Sequence, residues 1–400
     1  MIPGWAERAQ AQWPPRLHLA GRAVAVLTRA DPVPGGEALA ELRIVQPTLM
    51  FQADGPARLR LLATLSLEGA TIGDGELSPG AWGEGFVDRR HPHTYVHELL
   101  LTADDLLAGS DGAARVSLAA GKGFAPFGTD DPMTRPVLRY PLNHHLAQIL
   151  ERAVAIAAVR LGAVSGEFGL FNGDEPERPG QWPRIGGRFG DSWAARLTAE
   201  PVAGLEIQGS RARVHSPEHR AGAGTDQTKW SLSARWEGML ARRRTYALVE
   251  WARTSEAGGF FDFSSLLAEG AWHEGRHRLH YRFERTERPE EQRISAFRTL
   301  RPELENSILG ITRWTLHTAG YAAPSLERSG IAVQPMAEIS FGRIAPVGGG
   351  LFDVEQLYGR NRFWSFSLGV RVGFGGGTHR MGRYGAAMSG RGLHQHRDER

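Results

Sequence analysis

The side chains with chemistry to offer begin with arginines at alternate positions. Arg58, Arg60, Arg196, Arg235, Arg278, Arg282 and Arg371 each occupy the polar register of a segment whose other register is largely apolar. A guanidinium stays charged at any relevant pH and presents a fork of donors that fits oxyanions. If these registers line one wet enclosed space, the arginines give it a positive wall, and rings of Arg or Lys favour anions. Glu68, Glu200, Glu237 and Glu284 interleave with them. The competing reading is therefore a wall of ion pairs with little net field.

A second group is histidine-rich: His91, His93 and His97 beside Glu98, with His144 and His145 in a later loop that also contains Asp130 and Asp131. Imidazoles and carboxylates are ligands for zinc, copper or nickel. If the two loops meet, they make a divalent metal site; the plainer reading is loop packing. No other cofactor is expected. Gly190-Asp191-Ser192 matches the GDS element of some esterases, yet it opens an alternating strand rather than a strand–turn–helix. Ser192 with a nearby histidine is the catalytic alternative, a lipid hydrolase. No G-x-S-x-G, H-E-x-x-H or Walker motif is present, so an enzyme is not the expected reading. The formal charge of +3 does not suggest a nucleic-acid partner. The absence of cysteine rules out disulfides and thiolate metal sites.

What must position these residues is a run of strands. In Phe363–Phe374 the residues Trp364, Phe366, Leu368, Val370, Val372 and Phe374 alternate with small or charged ones. This is the period of a strand with one apolar and one polar face. Similar segments recur along the chain, separated by turn signals such as Asp54-Gly55 and Glu274-Gly275. Mean hydropathy is −0.32 and no 18-residue apolar run occurs, which excludes a helical span but not a barrel whose alternation hides its apolar face. The expected fold is all-β: a single transmembrane, antiparallel, up-and-down β-barrel of about sixteen strands, with fourteen to eighteen as roughly the range. Greasy side chains face outer-membrane lipid and polar ones face a lumen. Long segments at 69–93, 124–146 and 173–190 read as loops. Trp193, Trp230, Trp236, Trp251, Trp272, Trp314 and Trp364 read as an interfacial girdle.

The barrel is expected over 16–374. Residues 1–15 read as the remnant of an export signal, with Ala9-Gln10-Ala11 in the small-x-small form of a cleavage site. Residues 375–400 form a basic Gly-rich tail, either a flexible extension or a segment folded back into the lumen.

On one stretch the sequence resembles a known family. Arg115–Pro132 is a strand running into Gly121-Lys122-Gly123-Phe124-Ala125-Pro126-Phe127-Gly128. It is similar to the Gly-x-x-x-x-Pro-Phe-Gly run with which bacterial outer-membrane porins of the phosphate-selective type leave a strand for an inward loop. The final strand ending at Phe374 also resembles the assembly signal of that class. The resemblance implies a passive outer-membrane channel of a Gram-negative-type envelope, passing small hydrophilic or anionic solutes, phosphate-like oxyanions among them, and a homotrimer. It also implies that Phe124–Pro136 folds inward as the constriction, with Lys122 and Arg135 beside it. Lys122 and Lys229 are the only lysines, where the family carries a lysine ladder. The alternatives are an envelope binding barrel carrying the histidine metal site and the lipid hydrolase.

Overall fold

The structure is a computed structural model that describes residues 16–33, 35–71, 93–107, 114–129, 132–176, 178–295, 298–299, 307–348, 353–375 and 380–388. His91 and the 1–15 segment lie outside the described residues.

The chain rises and falls through β1 (Arg16–Asp31), β2 (Leu39–Asp54), β3 (Leu59–Ser66), β4 (Val96–Ala103), β5 (Ala114–Gly123) and β6 (Arg152–Leu161). It continues through β7 (Val164–Phe171), β8 (Ser192–Val202), β9 (Leu205–Val214), β10 (Gln227–Leu240), β11 (Arg243–Glu256), β12 (Phe261–Glu274) and β13 (His277–Glu291). A small ribbon, β14 (Arg293–Ser295) with β15 (Arg298–Thr299), stands apart from the wall. The circuit ends with β16 (Ile308–Ala322), β17 (Leu326–Arg328), β18 (Ile331–Val347) and β19 (Arg362–Phe374). The barrel sheet has 17 strands, of which β17 prolongs the course of β16 against β18, so the wall counts sixteen. Each wall strand pairs antiparallel with the next, and β19 closes on β1 from Gly21↔Phe374 to Asp31↔Trp364.

The fold is inside-out, as the alternation requires. On β19 the apolar register is exposed and its partners Ser365 and Ser367 are buried. That exposed apolar face wraps the barrel, the arrangement of a sheet solvated by lipid. No described helix is long and apolar enough to cross a membrane. Closing the sheet removes its edges, so every ladder group finds a partner without water. Tight turns at Gly162, Gly204, Ala241-Arg242 and Gly275 gather at one end, where positive φ suits them. The long connections gather at the other.

Trp314 departs from the expected girdle. It is fully buried against Tyr358 and Phe363, facing inward. In β16 the inward register contains Trp314 and Leu316, while Arg313, Thr315 and His317 take the outer register.

The lumen is occupied from both ends. The β5–β6 connection turns inward, burying Phe124, Phe127, Leu138, Tyr140, Leu142 and Ile149 among the wall residues. From the short-turn end, residues 380–388 return into the barrel, with Met381, Tyr384 and Ala386 almost wholly buried. The folded-back alternative for the tail is thus the one these residues adopt.

Candidate functional site

The lumen is built around two glycines of the Gly121–Gly128 run. Gly121 and Gly128 both hold positive φ. A Cβ on Gly121 would meet the Leu99 carbonyl oxygen, and one on Gly128 the Ala147 carbonyl oxygen, each well inside contact distance. Only glycine lets the chain leave β5 this tightly and double back against itself. The loop then hangs on wall carboxylates. Leu142 N–H donates to Glu284 (2.7 Å), Asn143 Nδ2 to Glu250 (2.8 Å), and the Leu138 and Arg139 amides to Glu338. Buried backbone amides need acceptors, and these glutamates supply them.

The arginines separate into two kinds. Arg196 grips Glu167 with two bonds (2.6 and 2.7 Å), and also donates to the Gly128 and Gly382 carbonyls. Arg282 grips Glu269 (2.7 Å) and donates to the Arg139 carbonyl. Arg60 pairs with Asp54 and Asp104, Arg235 with Glu237, and Arg135 with Glu250 and Glu269 at 3.6 and 3.9 Å. Arg58 is not on the wall at all. It belongs to the tight turn before β3 and reaches across the rim to Asp105. These six arginines are therefore neutralised or outside the lumen.

Arg278 and Arg371 are the other kind. Arg278 donates to the Pro136 carbonyl (3.2 Å), and among the described residues neither arginine has a carboxylate as an ion-pair partner. Both Nε atoms are buried with no hydrogen-bond partner. Arg371 lies within electrostatic reach of both Arg278 and Arg22, and Arg22 binds the Met133 carbonyl and Gln46. The carboxylate nearest this group, Glu338, already accepts from His280 (2.8 Å) and two loop amides. Three guanidiniums thus converge where the inner loop meets β1, β13 and β19. The sequence places Arg22 on the polar face of the first strand with Arg16 and His18, but nothing local sets it beside Arg278 and Arg371, which the closure of β19 on β1 brings to it. The loop-side Arg139, which reaches Glu284, and the tail Arg383, which reaches Glu206 (2.6 Å), carry no local signal.

Lys122 is buried at the other end of the lumen, bonded to Thr94 and lying over Trp182. Lys229 donates to the His145 carbonyl and Thr254, both at 2.9 Å. Lys229 lines a cavity of about 130 Å³ with Arg152, Glu175 and Arg288 at the long-loop mouth.

The histidine loops do meet. The His93 ring lies 4.6 Å from that of His97 and 5.8 Å from that of His144, and His145 adjoins His144. However, His93 Nδ1 is bound to Glu68 and His97 Nδ1 to Glu151, each at 2.7 Å. Among the described residues no group of three or more His, Asp or Glu is arranged to hold a metal ion. Glu151, just before β6, has its pKa lowered to about 2: burial alone would raise it, but the hydrogen bond from His97 and the charges of His97 and Lys122 outweigh that. Ser192 is fully buried, donating to Asp191 (2.7 Å) and accepting from the His215 amide (2.9 Å). The His215 ring is bound to Asp226 instead, so Ser192 and histidine form no nucleophile–base pair.

No family model and no curated protein matches the chain. Among solved structures it is similar to Salmonella typhi OmpF in complex with daunomycin, with a TM-score of 0.54 and 9% identity over 90% of this chain and 98% of that one. It is also similar to the anion-selective porin from Comamonas acidovorans, with a TM-score of 0.51 and 10% identity over 90% and 100% of the two chains. The loop L8 deletion mutant of OmpT, an outer membrane protein of Vibrio cholerae, gives 0.51 at 9% identity over 90% and 99%. The chain has the porin fold. At such identities the likeness extends to the closed sixteen-stranded barrel and no further.

Proposed function

We propose that this barrel is an outer-membrane diffusion channel for small hydrophilic solutes, with a preference for anions. The observation that carries the reading is the Arg22, Arg278 and Arg371 group, where guanidiniums face the inner loop and Arg278 and Arg371 have no ion-pair partner among the described residues. Arg60, Arg196, Arg235 and Arg282, by contrast, each pair with a carboxylate. Only an uncancelled site leaves a field for a passing ion, and in a confined low-dielectric space that field acts strongly. Phosphate-like oxyanions suit the forked donors. The inner loop serves as the constriction, because its Met133–Pro136 stretch supplies the carbonyls that hold Arg22 and Arg278 in place.

The mechanism has no bond chemistry. A solute moves down its gradient, exchanging water for guanidinium contacts as it passes the loop. The test is reversal potential in a planar bilayer under a KCl gradient. An anion-favouring potential that moves toward cations in an Arg278→Gln/Arg371→Gln variant supports the reading. A cation-favouring wild type would sink the anion preference, and a folded, inserted, silent protein would sink the channel.

A further inference from the structure

The outer face of the barrel carries a row that the channel reading does not use. Cross-strand register places Phe283 opposite His317, His317 opposite Phe341, and Phe341 opposite Trp364. These side chains all belong to the outer register, and the His317 and Phe341 rings stack with centroids 5.3 Å apart. Rows of aromatic side chains on the lipid face mark the membrane–water interface.

Two residues further toward the long-loop end lies a second row. Arg285 is opposite Thr315, Thr315 opposite Arg343, and Arg343 opposite Arg362. The three arginines are exposed, on the same lipid-side register, and among the described residues none has an ion-pair partner. Like charges set directly opposite across a sheet repel. The row therefore sits at an energetic disadvantage that an anion would remove. Arg343 and Arg362 line a cleft of about 580 Å³ together with Thr315, His317, Phe341 and Gly342. A Cβ at Gly342 would collide with the Thr315 carbonyl oxygen and the Leu316 side chain, so the strands approach closely at this point. From Arg285 to Arg362 is three inter-strand steps, or about 14 Å.

We infer that this row is a binding site for the phosphorylated head group of an outer-leaflet lipid. Arg285, Arg343 and Arg362 take the phosphate oxygens, Thr315 adds a hydroxyl, and the acyl chains run down over the aromatic row. Arginine forks fit phosphate in this way, and the position is the depth at which lipid phosphates lie. The inference rests on the outer-membrane reading, in which the long-loop end faces outward and the short turns face the periplasm.

The test is native mass spectrometry of the full chain refolded in detergent micelles, with diphosphorylated lipid A as the probe. The wild type is expected to retain one lipid, and Arg343→Gln/Arg362→Gln to lose occupancy at least tenfold. Arg211→Gln, an outward arginine stacked over Trp230 on the far side of the barrel, is expected to change nothing. Unchanged occupancy in the double variant would overturn the site, as would equal loss in Arg211→Gln or equal retention of dephosphorylated lipid A. Displacement of the lipid by inorganic phosphate at the same concentration would show a small-anion site instead and overturn the lipid. If the double variant does not fold, Arg285→Gln/Arg343→Gln provides the same readout. Channel recording on the same samples separates the two readings, since lipid retention in a silent protein leaves this site standing while the channel falls.

Discussion

The two sides of the lumen solve the problem of buried charge in opposite ways. Along β3 to β8 the arginines Arg60, Arg115, Arg152, Arg160 and Arg196 each have a carboxylate, and the returning 380–388 segment completes the packing. Arg383 reaches Glu206 and Thr198, Tyr384 donates to Glu98 (2.6 Å), and the Ala386 amide donates to Ser117 (2.7 Å). Along β13, β19 and β1 the guanidinium of Arg278 is held by a loop carbonyl, and among the described residues neither it nor Arg371 has an ion-pair partner. Paired charges in a dry wall fix shape, because removing one partner leaves the other stranded. Unpaired charges at a wet boundary leave a field for solutes. The same residue type, on the same register, is ion-paired on one side and, in the proposed channel, faces the solute path on the other.

The comparison breaks most visibly if the tail is removed. Stopping the chain after Gly375 should empty the β3–β9 side and raise single-channel conductance several-fold, read in a planar bilayer. An unchanged conductance would mean that the segment lies outside the ion path. Next in size is Arg196→Leu, which strands Glu167 and releases both Gly128 and Gly382. It should cost about 3–5 kcal/mol in urea unfolding from micelles, the range for breaking a buried pair. By contrast, Arg371→Gln should barely move the unfolding midpoint while shifting the reversal potential toward cations. If the two variants exchanged these phenotypes, the division of the lumen would be wrong. Gly128→Ala forces a side chain into positive φ and against the Ala147 carbonyl, with the backbone term alone costing about 1–2 kcal/mol. Its readout is loss of the inner-loop amide protection.

The smallest expected effect is acid release of the Thr94–His97 corner. Glu151 has a folded pKa lowered from 4.5 to about 2, so its stabilisation is fully present above pH 4.5 and fades as the pH falls toward 2. The Thr94 amide, which donates to Glu151 (2.9 Å), should report this in its nitrogen shift, and Glu151→Gln should abolish the titration.

Most of the fold was legible because period-two alternation is a local property. The expected count of about sixteen strands matches the observed wall, and the expected strand Phe363–Phe374 is observed as Arg362–Phe374. What alternation does not tell is which register is inside when both carry apolar residues. Trp314 was assigned to the girdle for that reason, although Leu316 beside it faces inward too. The inward register of Arg278, Arg282 and Arg371 was equally readable. What Arg278 reaches was not, because Pro136 comes from the inner loop 142 residues away; Arg282, by contrast, pairs with Glu269, its cross-strand neighbour in the same hairpin. The histidine loops show the same limit. Their meeting was only a condition of the metal reading, and the use of His93 and His97 as partners for Glu68 and Glu151 depends on carboxylates brought in by folding.

The return of 380–388 into the barrel also dictates an order of assembly. Tyr384 bonds Glu98 across 286 residues of chain, and Gly382 accepts from Arg196 across 186. Between them and β19 stands the seam, where the Phe374 ring covers Gly21. This segment, made after the whole barrel, must therefore find a site built from strands made much earlier, and loop closure over such separations is slow. The contacts of Tyr384 and Arg383 form only once those strands stand side by side, so they act as a latch that engages when the cylinder is complete. Protease resistance at Arg383 should then appear after, never before, the closure of β19 on β1.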